Sequence, residues 1–64
     1  MTVLNDLDVT QRLLSIRTNH QLASSAMRHC ALATALQHLA NLENDARQAQ
    51  WRILELMKDS ENAP

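Results

Sequence analysis

The sequence predicts an all-α fold, an antiparallel helical hairpin of two or three helices with coiled-coil-like packing. Three observations carry that expectation. The 64 residues contain no glycine, and the single proline is Pro64, so nothing before it carries the usual helix breakers. Phe and Tyr are absent and Trp51 is the only aromatic, while Ala, Leu, Gln, Arg and Glu are plentiful, a composition that favours helices over strands. Apolar residues also recur at steps of three and four, which keeps them on one side of a helix.

The elements follow in order. Met1–Leu7 is a lead-in whose Val3, Leu4 and Leu7 are placed to fold back as a hydrophobic staple. Asp8-Val9-Thr10-Gln11 has the form of a capping box, and Asp6 and Asp8 suit the positive end of a helix dipole. A first helix is therefore expected to start between Asp6 and Thr10. Its stripe reads Val9, Leu13, Ile16, His20, Ala23, Met27, Cys30. A stricter second stripe reads Leu32, Ala35, Leu39, Leu42, Ala46, Ala49, Ile53, Leu56. The two are out of phase, which signals a stutter or a break. The polar window Asn41–Asp45, with Asp45-Ala46-Arg47-Gln48 as a second capping box, is the favoured turn. It gives helices over about Asp8–Ala40 and Asp45–Lys58. Thr18–His20 is the competing turn and leaves the second stripe uninterrupted. A single helical domain over residues 1–64 is expected, with a frayed polar tail at 59–64.

One band asks for more than a hairpin. Ala31, Leu32, Ala33, Ala35, Leu36, Leu39 and Ala40 cover most of the circumference of their helix, and a helix that is apolar nearly all round is buried. A hairpin hides only one side of it. A chain this short buries about 60% of its unfolded surface, and small scaffolds add a disulfide, a metal or a partner. Cys30 is the only cysteine, so no intrachain disulfide exists. A homodimer or a hetero-complex with a helical protein surface is the expected remedy. The partner-binding candidates are Leu32, Ala35, Leu36, Leu39, Leu42, Trp51, Ile53 and Leu54. Trp51 is included because Trp is enriched at binding hot spots.

Charge and motifs narrow the function classes. The net charge is −1, and Arg12, Arg17 and Arg28 are the only charges between Thr10 and Leu42, too sparse for a phosphate-tracking stripe. Nucleic acid is not the expected partner, and a small nucleic-acid-binding regulator stands as the alternative reading. A lone thiol suits a reducing cytoplasm, no basic region followed by an apolar run suggests a secretory signal, and no membrane association is expected. Polar residues break Leu22–Leu42 into pieces too short to span a bilayer. His20, His29, Cys30 and His38 are possible metal ligands, but without an i,i+4 His pair or a CxxC no metal site is expected. His29 and Cys30 are sequence neighbours whose side chains point about 100° apart on a helix, so no nucleophile–base pair is formed. No catalytic residues and no cofactor are expected, and the chain reads as non-enzymatic.

Size, the opening Met1-Thr2-x-Leu4, the shortage of aromatics and the hairpin pattern resemble the small E-type co-chaperones of type III secretion needle subunits. The resemblance covers the chain in outline, with identifiable matches at Met1, Thr2 and Leu4. It implies a short cytoplasmic helical hairpin that works with a larger tetratricopeptide-like partner to keep a needle protein unassembled. Members of that family often carry glycine in the inter-helix loop, and this sequence has none. A phage- or plasmid-encoded inhibitor of a host protein would share the same mode of action.

Overall fold

A computed structural model describes residues 6–61. Val3 and Leu4 of the expected staple, the Met1-Thr2-x-Leu4 opening and residues 62–64 of the tail lie outside that range. Two helices, α1 (Leu7–Arg28) and α2 (Leu32–Glu61), form an antiparallel hairpin. The all-α class and the hairpin are as the composition and spacing predict. The helix start also falls within the expected window, but the cap is Asp6. Its carboxylate accepts from the Val9 amide at 3.0 Å, and Asp8 sits in the first turn.

The turn corrects the sequence reading. It occupies residues 29–31, neither the favoured 41–45 nor the competing 18–20. The Ala31 amide donates to the Ala26 carbonyl at 2.8 Å and the Cys30 amide to the Met27 carbonyl at 3.1 Å. These two bonds make a Schellman motif, which satisfies the last carbonyls of α1. Its left-handed position usually takes glycine or asparagine, and here Cys30 fills it at φ 56°. The loop is thus built without the residue types that normally announce one. Asn19, expected as a possible cap, is inside α1 and donates to the Ser15 carbonyl at 2.9 Å. Asp45, expected to cap a second helix, is in the middle of α2 and is 7% exposed. The second helix also runs past the expected end at Lys58 to Glu61.

The helices meet along a seven-residue repeat. Half-buried or buried positions recur at Val9, Ile16 and Ala23 and at Arg12, Asn19 and Ala26 in α1. In α2 they recur at Ala35, Leu42, Ala49 and Leu56 and, continuing from Ala31 in the turn, at His38, Asp45 and Arg52. A strict seven-residue repeat holds the contact on one seam of each helix. Cross-links fix the register: Asp6 with Arg52, Arg12 with Asp45 and Asn19 with His38. That register brings Val9 level with Ala49, Ile16 with Leu42 and Ala23 with Ala35. Apolar and polar rungs therefore alternate along the seam.

Little apolar surface is hidden by this arrangement. The buried apolar residues are Ala23, Ala26, Ala35 and Ala49, and none of the described large side chains is fully buried. Each alanine methyl adds about 0.8 kcal/mol. The Cα trace measures 54 × 19 × 11 Å, a slab one helix thick. No described helix is long and apolar enough to cross a membrane.

Candidate interaction surface

The polar rungs are best read from the charges outward. Arg12 Nη1 donates to Asp45 Oδ1 at 2.8 Å, and the Ser15 hydroxyl donates to Asp45 Oδ2. Those two donors, Ser15 foremost, hold the Asp45 carboxyl below the usual aspartate range. At the open end, Arg52 donates from Nε and Nη2 to Asp6 Oδ2 at 3.1 and 3.0 Å. The Val9 amide and then Arg52 lower the Asp6 pKa, and Asp6 in turn raises that of Arg52. One carboxylate thus caps α1 and clamps α2. His38 Nδ1 lies 3.3 Å from Asn19 Oδ1. These groups set how the helices meet, and of them only Asp6 borders a groove.

The outer surfaces carry the large apolar side chains. On α2, Leu32, Leu39 and Ile53 are exposed, at seven-residue steps broken only by the half-buried Ala46. Leu36 and Met57 extend this flank one turn outward, Leu36 being 70% exposed. On α1, Leu13 and Met27 occupy the matching flank. That the two flanks lie on one side of the slab is shown by an open groove lined by Asp6, Val9, Thr10, Leu13, Ile53 and Leu56. The groove holds about 240 Å³, below the range of about 300–1,000 Å³ typical of ligand pockets, and it is too open to enclose a small molecule. The opposite edge carries Ser15, Asn41, Gln48 and Glu55, with Leu22 as its exposed apolar exception.

The eight partner-binding candidates are divided by this geometry. Leu32, Leu36, Leu39 and Ile53 share the apolar flank. Ala35 is buried and Leu42 half-buried in the hairpin seam. Trp51, 59% exposed, and Leu54 lie on the back of α2, away from α1. The band from Ala31 to Leu42 is thus divided, with Ala35 and Leu42 covered by α1 and Leu32, Leu36 and Leu39 left outside. Sequence reasoning missed Leu13 and Met27 as parts of the same flank. Both were in the first stripe, but the assumed long first helix hid the relation.

Other candidate chemistry is scattered. Cys30 and His29 are exposed in the turn, and His29 Nδ1 lies 2.8 Å from the Ser25 carbonyl. Among the described residues no three His, Cys, Asp or Glu side chains gather as a metal site. Of the three arginines considered for nucleic acid, Arg12 is engaged by Asp45, while Arg17 and Arg28 enter no ion pair among the described residues. Glu43 and Arg47 pair at 3.1 Å on the outside of α2. Comparison of the chain with family models, curated proteins and solved structures returns no match.

Proposed function

We propose that this chain is a non-enzymatic helix-binding module, a small cytoplasmic adaptor or co-chaperone that buries an apolar flank against a helical protein. One observation carries the reading: the interior of the hairpin holds alanines and polar rungs, while Leu13, Met27, Leu32, Leu36, Leu39 and Ile53 stand outside. The total surface is 5385 Å², against about 4,100 Å² for a folded monomer of 7.2 kDa. The difference, about 1,250 Å², exceeds the roughly 800 Å² that each partner buries in a standard interface. Exposed leucine, isoleucine and methionine side chains gathered on one flank mark an interaction site. The resemblance to needle-subunit co-chaperones supports a helical secretion subunit as one partner to test. Leu36→Asp or Leu39→Asp should abolish partner binding or self-association while leaving the hairpin seam intact. A stably folded monomer that neither substitution affects would refute the reading.

A further inference from the structure

The slab is 11 Å thick across its Cα trace, a single layer of two helices. Stable domains are built from two packed layers around one core. The missing layer must cover an outline of 54 × 19 Å, about 1,000 Å² on one side, close to the area each partner contributes to a stable complex. Another hairpin of the same dimensions fits that outline end to end.

The flank is also complementary to itself. Leu13 and Arg17 are four residues apart on the α1 flank, as are Leu39 and Glu43 on the α2 flank, so each charge lies beside an apolar residue of the same surface. Consider a two-fold axis parallel to the helices, which places α1 of one copy over α2 of the other. The hairpin's own rungs, Arg12 level with Asp45 and Asn19 level with His38, fix the heights that such an axis preserves. Leu13 then comes within about two residues' rise of Ala46 of the second copy, Met27 within about two of Leu32 and Arg17 within about three, roughly 4 Å, of Glu43. Leu13 meets a small side chain and Met27 a large apolar one, opposite charges meet twice, and neighbouring helices stay antiparallel. The alternative two-fold, perpendicular to the helices, stacks α1 on α1. That arrangement also stacks α2 on α2, so Arg17 of one copy no longer meets Glu43 of the other.

We infer that the apolar flank is the contact of a symmetric homodimer, two hairpins stacked as an antiparallel four-helix bundle with α1 of each copy over α2 of the other. This rests on the helix-binding reading above and names its partner as a second copy of the chain. The dimer has two seams per helix. The first is the polar-runged hairpin contact, and the second runs through Leu13, Arg17 and Met27 on α1 and Leu32, Leu36, Leu39 and Glu43 on α2.

Sedimentation equilibrium of the purified full chain should give twice the 7.2 kDa chain mass. Leu39→Asp should raise the dimer dissociation constant roughly a hundredfold or more, because it places a carboxylate in an apolar seam. A cross-linking variant combines Cys30→Ser with Arg17→Cys and Glu43→Cys. Positions 17 and 43 are on the outward flanks of different helices and do not pair within the hairpin, whereas a disulfide needs a Cα separation of about 4.4–6.8 Å. Oxidation should therefore give a covalent dimer whose peptide map joins position 17 to position 43. A dimer joined 17 to 17, or one that does not cross-link, overturns the proposed pairing. A monomer at every concentration up to the solubility limit overturns the dimer itself. If that monomer still binds an apolar dye, and Leu36→Asp and Leu39→Asp remove the binding, helix binding survives without self-association. If the dye does not bind, both readings fall.

Discussion

Removing either partner of the central rung should destabilise the hairpin, and the two removals should not cost the same. The Asp45 side chain is 10% exposed and the Arg12 side chain 37%. Asp45→Ala deletes two accepted hydrogen bonds, one from a charged donor, and such bonds contribute about 1.5–3 kcal/mol net. The Arg12 left behind already reaches water and regains solvation, so the expected cost is near the low end, about 2 kcal/mol. Arg12→Ala instead strands a carboxylate that water barely reaches, with only the Ser15 hydroxyl to hold it. Breaking a buried pair from that side costs about 3–5 kcal/mol, reduced here by Ser15 to about 3 kcal/mol. For a chain of this size each kcal/mol shifts Tm by about 4–8 °C, so Asp45→Ala should lower it by about 8–16 °C and Arg12→Ala by more. The double variant should melt no lower than Arg12→Ala alone, because it removes the stranded charge. Thermal melts followed by far-ultraviolet circular dichroism, at one fixed protomer concentration and neutral pH, would measure all three. An Asp45→Ala loss equal to or larger than the Arg12→Ala loss would refute the argument that burial of the carboxylate sets the order.

Cys30→Gly should raise stability by about 1 kcal/mol, since it frees the left-handed turn position of its Cβ clash; an unchanged or lower Tm would count against the Schellman geometry. Ala23→Leu or Ala35→Leu should destabilise by about 1–3 kcal/mol by forcing the helices apart where only methyl groups fit, measured by urea titration. Acid should also unfold the hairpin. Asp6 and Asp45 titrate below the ordinary 3.8 when folded, so the unfolded chain binds protons first as pH falls. Their contribution is complete above 3.8 and lost as pH drops through the lower folded values. Helical content should therefore hold from neutrality to about pH 4 and fall below it, and Asp45→Asn should flatten that fall.

The helix class, the start between Asp6 and Thr10 and the surplus of apolar surface around Ala31–Leu42 were legible in the sequence because each depends on local spacing or composition. The turn was legible only in part. One stripe ends at Cys30 and the next begins at Leu32, and this change of phase marks the place where the chain reverses. Turn chemistry pointed elsewhere, toward Asn19 and the Asn41–Asp45 window, because left-handed positions ordinarily take asparagine or glycine. A cysteine in that position gives no local sign. Asp45 was misread for a related reason. Its partners Arg12 and Ser15 are 33 and 30 residues away, and spacing within one helix cannot reveal a cross-helix rung. Once the turn is placed, the seven-residue steps from His38 through Asp45 to Arg52 expose the polar seam. The same placement joins Leu13 and Met27 to the flank of α2.

The alternation of apolar and polar rungs has a calorimetric consequence. Heat capacity rises on unfolding mainly through newly wetted apolar area, at about 12–15 cal/mol/K per residue for ordinary domains. A hairpin that fully buries only alanine methyls and a hydrogen-bonded carboxylate, and half-buries Val9, Ile16, Leu42 and Leu56, has little such area to expose. Dilute protein should therefore unfold with an increment well below that figure and a broad, weakly curved stability profile. If the proposed dimer forms, concentrated protein should recover an ordinary one. The curvature of stability with temperature would then report how much of the fold's interior lies between chains and how much within one.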